Sequence, residues 1–349
     1  MALEPDSRNP TEPPAENWWD SYDATYVTPE ALAVVPEMPP VPPVTTFDHP
    51  KDNWVWTHCE NGYHEAQQEW PALNREIITE ENPLEVDVFY SMRSPYSYLS
   101  IFRLAYLHSN YNVNVNVKVI FPIAVRTSDS AGSGGASSLA GRWYYYWYSI
   151  MDAPRSARYE GIPFRYANPD PIVHDTWPPG ASQAVAPMDN QPYISWLVRL
   201  AMAATMEGKA LEYCVALSPL IWGARTPMGE WPLHVRDAVN GIGLDYDAVI
   251  ADIQSNPGKY DDIWSKHQDE FQMTGQGGVP TMSFNGEPFF GQDRINQFFW
   301  RLRPNGLTMR KHPRVPLVAR PLRWPLASGV ESGPTLTGAG APRSVADEV

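Results

Sequence analysis

Ser94 and Ser97 lie in residues 93–97, between an alternating apolar segment and a long apolar run. Ser94 followed by Pro95 is an ordinary helix start, with serine as the N-cap and proline in the first turn. A helix N-terminus presents free backbone N–H groups and a partial positive charge, and it can stabilise a thiolate. We therefore consider Ser94 as a candidate catalytic residue, with Tyr96 and Ser97 beside it, against the plain interpretation of a helix cap.

Asp293 and the aromatic run at residues 143–148 are further candidates. Asp293 follows Gln292 and precedes an apolar helical segment, so it is a natural N-cap, although a carboxylate here could also bind a ligand ammonium group. The aromatic run could line a pocket for a flat aromatic substrate, with Trp143 as the candidate residue. At helical spacing about half of such a run must face the core, so packing is favoured for most of its members.

Two weaker patterns are set aside. His58, Cys59 and His64 are close in sequence but match no metal-ligand spacing, and we predict no metal site. The glycine-rich residues 131–135 lack the Gly-Lys-Ser/Thr of a phosphate-binding loop.

The first half of the predicted core is a strand, a helix and a second strand. Residues 85–90 alternate like a strand, and residues 98–109 are apolar nearly all round, as a buried helix would be. Val113, Val115, Val117 and Val119 then alternate with polar residues. This order predicts a parallel, right-handed βαβ unit.

The second half is two short strands and a helix. Asn285-Gly286 between two short apolar runs is a strong signal for a type I′ hairpin. Between the halves, residues 127–138 read as a loop, and helices are predicted at 139–152, 192–207, 209–221 and 257–272, with an irregular loop at 168–187. The fold class is therefore α/β: a thioredoxin-like βαβ…ββα domain at 84–303 with a helical insertion at about 127–273.

This fold gives two of the candidates a place. Ser94 and Ser97 occupy the positions at which redox members of the fold keep Cys-x-x-C. Val279-Pro280 precedes the third strand, where a cis-proline faces the start of the first helix. Most X-Pro bonds are trans, but at this position the backbone of Val279 can pair with an extended peptide such as glutathione.

Three motifs then resemble the family of 2-hydroxychromene-2-carboxylate isomerases and kappa-class glutathione transferases. They lie at residues 91–99, 159–164 and 278–294, in the family's order. The resemblance implies that Ser94 holds the glutathione sulfur as a thiolate and that Val279, beside Pro280, pairs with the cysteinyl backbone. It also implies that Gln292 and Asp293 bind the γ-glutamyl group. The family's Asn- or Lys-containing loop after the second strand is replaced here by residues 121–126.

Composition narrows the function further. A net charge of −14 disfavours nucleic acid as a partner. Two cysteines, Cys59 and Cys214, form neither a disulfide framework nor a Cys-x-x-C motif. No run of 18 apolar residues is present, which argues against a membrane. Residues 1–6 resemble neither a secretory signal nor a transit peptide, so we expect a cytoplasmic protein.

Two extensions flank the domain. Residues 1–83 are rich in proline and large aromatics, and we expect them to lie against the body or a second subunit, which predicts a homodimer. Residues 304–349 are rich in proline and arginine. A loose basic stretch here is interpreted first as a solvated extension and second as a segment docked on the acidic body; it comprises Arg303, Arg310, Lys311, Arg314, Arg320 and Arg323.

The leading hypothesis is a glutathione-dependent isomerase of a small aromatic-catabolism intermediate. The nearest alternative is a kappa-like glutathione transferase that uses the same site on an irreversible electrophile. A disulfide oxidoreductase is third, because serines replace both cysteines. From another class, the chain could be a non-catalytic scaffold subunit anchored by its extensions.

Overall fold

The computed structural model describes residues 77–126, 143–167, 170–173, 188–223 and 231–318, with backbone only at 143–147. The predicted loop at 127–138, nearly all of the N-terminal extension and the tail from residue 319 lie outside these ranges. Within the described part of the chain, the longest apolar helices are too short or too polar to cross a membrane.

Four strands form one mixed sheet in the order β2-β1-β3-β4. They are β1 (Leu84–Tyr90), β2 (Val113–Val119), β3 (Thr281–Phe284) and β4 (Glu287–Phe290). β1 and β2 are parallel, whereas β1–β3 and β3–β4 are antiparallel. The predicted thioredoxin-like sheet is confirmed.

Nine α-helices are described. They are α1 (Pro95–Asn110), α2 (Ile123–Arg126), α3 (Trp143–Glu160), α4 (Pro192–Met206), α5 (Ala210–Trp222), α6 (Trp231–Gly241), α7 (Tyr246–Ser255), α8 (Pro257–Met273) and α9 (Ile295–Leu302). Short 3₁₀ turns lie at Met188–Asn190, Gln292–Arg294 and Arg303–Asn305. The helix predicted to end at 152 continues to Glu160 through Pro154, and α6 and α7 were not predicted.

The strand patterns have a direct structural cause. The valines of β2 are buried, and its polar residues point to the other face. There Asn116 donates to Glu85 Oε2 (2.9 Å) and the Lys118 ammonium lies 2.7 Å from Asp87 on β1. Between β3 and β4, Asn285 and Gly286 both have positive φ (50° and 82°), as the predicted type I′ hairpin requires.

The core lies between the sheet and the helical insertion. Helices α1 and α5 pack together and against β2, and the Tyr90 hydroxyl of β1 is 2.5 Å from Ser218 Oγ of α5. Farther out, α4 and α8 are joined by Arg199, whose Nε and Nη2 donate to both carboxylate oxygens of Asp261 (2.9 and 2.8 Å). The insertion is thus a packed part of the domain.

The described part of the C-terminal extension docks on the end of the sheet where β1 and β2 begin. The backbone N–H groups of Arg310 and Arg314 donate to the carbonyls of Asn110 and Ser109 (both 2.8 Å), and Arg310 is buried. For these two residues the solvated interpretation is wrong and the docked one holds, because backbone hydrogen bonds tie the segment to the end of α1. Arg320 and Arg323 lie outside the described residues.

Candidate active site

Ser94 lies at the other end of the sheet, between the end of β1 and the start of α1. It is the N-cap of α1, and its Oγ accepts a hydrogen bond from the Ser97 backbone N–H (3.2 Å). The same hydroxyl donates to the carbonyl oxygen of Val279 (3.2 Å). Ser94 is half-buried, so the hydroxyl stands at the surface of the helix N-terminus with one proton to donate.

The Val279-Pro280 segment faces this helix N-terminus. The peptide bond between the two residues is cis, Pro280 is buried and Val279 is half-buried. The Pro280 carbonyl accepts from the Gly291 N–H (2.9 Å), while no described residue accepts from the Val279 N–H. The Val279 backbone therefore has an open donor close to Ser94.

Gln292 and Asp293 follow on the same side, after β4. Gln292 lies in a 3₁₀ turn, and its backbone carbonyl and side-chain Oε1 both accept from Arg103 Nη2, the first at 3.0 Å. A guanidinium only donates, so the amide oxygen faces Arg103 and the amide N–H groups lie on the opposite atom. Gln292 is held as a donor toward its surroundings.

Asp293 is not an N-cap. Helix α9 begins at Ile295 after the 3₁₀ turn, and Arg294 is its N-cap residue without a side-chain cap bond. The inserted turn moves the helix start past Asp293, so its carboxylate is 63% exposed and lies 3.4 Å from the Arg294 guanidinium. An exposed carboxylate beside a helix start is available to a ligand ammonium group.

Arg103 is a site residue that the sequence analysis missed. It lies on α1 with its side chain 5% exposed, 3.5 Å from Glu160 at the end of α3. Burial lowers the pKa of Arg103, and the charges of Glu160 and Asp293 act against that shift. The signal was present: one charged residue in a helix that is otherwise apolar nearly all round needs a partner inside the fold.

The predicted substrate-binding residues divide into three cases. The Tyr96 hydroxyl donates to Asp152 Oδ2 (3.0 Å), which joins the start of α1 to α3. Ser97 is fully buried, and its Oγ accepts a long hydrogen bond from the Ser91 N–H (3.5 Å), so it supports the turn rather than facing a ligand. The side chain of Trp143 lies outside the described residues.

The middle motif braces the segment before Ser94. The Tyr98 hydroxyl donates to the Pro163 carbonyl (2.6 Å), and the Phe164 ring stacks on Trp222 with centroids 5.7 Å apart. On Trp222 also lies the guanidinium of Arg93, which donates to both oxygens of Asp170 (2.6 Å each). The residue preceding Ser94 is thereby fixed from three directions.

Thiol and metal chemistry have little support among the described residues. Cys214 is fully buried, and burial raises the pKa of its thiol well above the ordinary value. Cys59 lies outside the described residues. Residues 77–126, 143–167, 170–173, 188–223 and 231–318 contain no cluster of His, Cys, Asp or Glu side chains arranged to hold a metal ion.

Three comparisons with known proteins place this site in a family context. Among solved structures, a 2-hydroxychromene-2-carboxylate isomerase has 20% identity, covers 63% of this chain and 95% of its own, and gives a TM-score of 0.44. A probable DsbA oxidoreductase from Streptomyces coelicolor has 16% identity, 64% and 90% coverage, and a TM-score of 0.42. The cytosolic disulfide reductase DsbM from Pseudomonas aeruginosa has 14% identity, 59% and 88% coverage, and a TM-score of 0.35.

No curated protein matches the chain. The sequence model described as a DSBA-like thioredoxin domain matches residues 85–303, which is more than half of the chain and spans all four strands. The chain therefore belongs to the DSBA-like thioredoxin domain family.

Proposed function

We propose that this protein is a glutathione-dependent isomerase of an aromatic-catabolism intermediate, similar in activity to 2-hydroxychromene-2-carboxylate isomerase. The observation that carries the proposal is the Ser94 hydroxyl. It caps α1, stands beside the open backbone of Val279, and occupies a position where a disulfide exchanger needs a cysteine. A hydroxyl at this position can hold a ligand's thiolate but cannot exchange disulfides itself.

The donor and acceptor groups around Ser94 match glutathione in their chemistry. The Val279 N–H can donate to a peptide carbonyl of an extended ligand. Gln292, with its amide oxygen turned to Arg103, can donate to the α-carboxylate of the γ-glutamyl group. The exposed Asp293 can accept from the ammonium group of the same amino acid. Together these residues recognise both charges of a zwitterionic end.

Bound glutathione would supply a thiolate that adds reversibly to a conjugated carbon and so allows rotation about the former double bond. The protein's part is to hold the negative charge and to align the reactants. Ser94 would turn its proton from the Val279 carbonyl to the sulfur, and the N–H groups and dipole of α1 favour the negative form. No proton on the protein changes place in the net reaction, because the thiolate is recovered at the end.

A glutathione transferase would use the same residues, and its product would separate the two activities. An isomerase returns free glutathione, whereas a transferase leaves it covalently bound to the product. A small aromatic substrate, a homodimer and a cytoplasmic location belong to the same proposal. Sedimentation over a concentration series tests the homodimer, and a monomer at every concentration would contradict it.

The proposal is tested by calorimetric titration of glutathione into the wild type and into Ser94→Ala, with thiolate absorbance recorded in parallel. We expect saturable binding by the wild type and a thiolate signal that weakens in Ser94→Ala. A hydrogen bond to a charged group contributes about 1.5–3 kcal/mol, so the affinity for the thiolate form should fall about 10- to 100-fold.

Two controls sharpen this result. S-Methylglutathione has no thiolate, so its affinity should be nearly the same for both proteins. Ser97→Ala removes the other serine, whose hydroxyl is fully buried, and should leave the thiolate signal in place. Absence of binding by the wild type at millimolar glutathione would contradict the enzyme hypothesis and favour the scaffold subunit.

A further inference from the structure

Arg126 is a buried cation beside the proposed site that the function so far does not use. It ends α2 and is 8% exposed. Its Nη2 donates to the Gly277 carbonyl (2.9 Å), and its guanidinium carbon lies 5.0 Å from the centre of the Phe271 ring. Its Nε is buried with no hydrogen-bond acceptor, and no carboxylate of the described residues forms an ion pair with it.

Such a group is expensive to bury. A guanidinium removed from water needs a counter-charge and acceptors for its N–H groups, and other buried arginines of this protein have carboxylates. Arg301 donates to Glu287 (2.5 Å), and Arg199 donates to Asp261. Burial lowers the pKa of Arg126 to about 10, which still leaves it charged at neutral pH. A carbonyl and an aromatic face compensate this charge only in part.

The position of Arg126 relates it to Val279. Gly277, which it contacts, lies two residues before Val279, and Ser94 contacts the Val279 carbonyl. On the other side of Val279, the Pro280 carbonyl bonds to Gly291, which leads directly to Gln292. The segment that would pair with an extended ligand therefore has Arg126 at one end and the Gln292–Asp293 turn at the other.

We propose that Arg126 is a carboxylate-binding residue of this site, filling the charge deficit of its guanidinium with an anionic group of a bound molecule. The inference rests on the proposed function in one respect: it places the carboxylate beside the Val279 backbone. Two molecules can bring that carboxylate. One is glutathione, whose glycine end lies opposite its γ-glutamyl end, and the other is an aromatic acid bound beside it.

The experiment compares matched charged and uncharged probes by calorimetry on the wild type and on Arg126→Gln. Glutathione is compared with its glycine monoethyl ester, and cinnamate is compared with cinnamamide. If the glycine carboxylate is the ligand, the wild type should bind glutathione at least about tenfold more tightly than the ester, and Arg126→Gln should bind both equally. If the aromatic acid is the ligand, the same pattern should appear for cinnamate and cinnamamide.

Arg126→Lys provides the matched control, since it keeps the charge and should retain part of the preference. Equal urea midpoints for the variants and the wild type establish that the fold is kept. Affinities of Arg126→Gln within about twofold of the wild type for all four probes would overturn the proposal. Failure of the wild type to bind glutathione would contradict the proposed function alone, because the cinnamate pair still tests Arg126 in the free protein.

Discussion

The helical insertion and the edge of the proposed site each bury an arginine, and they treat it differently. In the insertion, the Arg199 side chain is fully buried, and both oxygens of Asp261 accept from it. At the site edge, Arg126 is almost as deeply buried but has a carbonyl, an aromatic ring and an unpaired Nε. A closed ion pair has no capacity left for a ligand, whereas an incompletely compensated cation has.

The difference separates the residues that hold the fold from those that can act on a ligand. Val279 presents an open N–H, Gln292 is turned outward by Arg103, and Asp293 is exposed. These groups surround one end of β1, while the opposite end is closed by the docked C-terminal segment. Unsatisfied polar groups are therefore a better guide to the site here than the largest cavity, a groove of about 400 Å³ along β2 that is lined partly by Arg314 and His108.

The largest effect is expected from breaking the closed pair. Asp261→Ala leaves Arg199 as a buried charge without its counter-ion, and we expect the free energy of unfolding to fall by about 3–5 kcal/mol. Urea unfolding measures this loss. The matched control is Asp247→Ala, which removes the partner of Arg236 in an exposed pair and should cost about 1 kcal/mol or less. Equal losses for the two variants would contradict the comparison.

The next effect concerns His108 at the closed end of the sheet. Burial first, and the charges of Arg314 and Arg310 second, lower the pKa of His108 from 6.5 to about 4. Between these two values the unfolded chain binds a proton that the folded protein does not, so stability falls as the pH falls through this window. The contribution is complete above pH 6.5, and its loss should reach up to about 3 kcal/mol near pH 4.

Urea unfolding between pH 7 and pH 4 checks this prediction against His108→Gln, which lacks the titrating ring. Other acids and histidines titrate in both proteins, so the difference between the two curves isolates His108. Parallel curves would contradict a neutral, buried His108.

A smaller effect is expected at Gly291, which precedes the Gln292–Asp293 turn. Its φ is +104° and its ψ 148°, a region that only glycine adopts readily, and a Cβ there would lie 2.5 Å from Asp293 Oδ1. We expect Gly291→Ala to lower the unfolding free energy by about 2 kcal/mol and to weaken glutathione binding by displacing Asp293. Gly258→Ala, at a helical position with no atom within 4 Å of the added carbon, is the control and should be neutral or stabilising.

The smallest effect is expected from Arg126→Leu, and this is where the two buried arginines should differ most clearly. Removing a cation that has no counter-ion removes its desolvation penalty as well, so the unfolding free energy should stay within about 1 kcal/mol of the wild type. Arg199→Leu should lose about 3 kcal/mol or more, because it leaves Asp261 buried and unpaired. Urea unfolding of both variants tests this, and a similar loss in both would assign Arg126 a structural role.

Local patterns in the sequence were enough to predict the sheet and its connections. The valine alternation of β2 determines which face is buried, and Asn285-Gly286 determines a two-residue turn with positive φ. Ser94-Pro95 determines the start of α1. Each of these features depends on neighbours within a few residues, so the sequence carries the information openly. The N-cap predicted at Asp293 failed because an added 3₁₀ turn moved the helix start, and element boundaries are the weakest part of such predictions.

Only the tertiary structure decided which side chains surround Ser94 and in what state. Arg103 meets Gln292 across 189 positions of sequence, and Arg126 meets Gly277 across 151. No local periodicity records such contacts, since they depend on how α1 and α2 pack against loops from the other half of the fold. Whether a buried charge is paired or open is likewise set by this packing. The sequence by itself determined the scaffold and the position of Ser94, and the tertiary packing decided which polar groups remain free to bind a ligand.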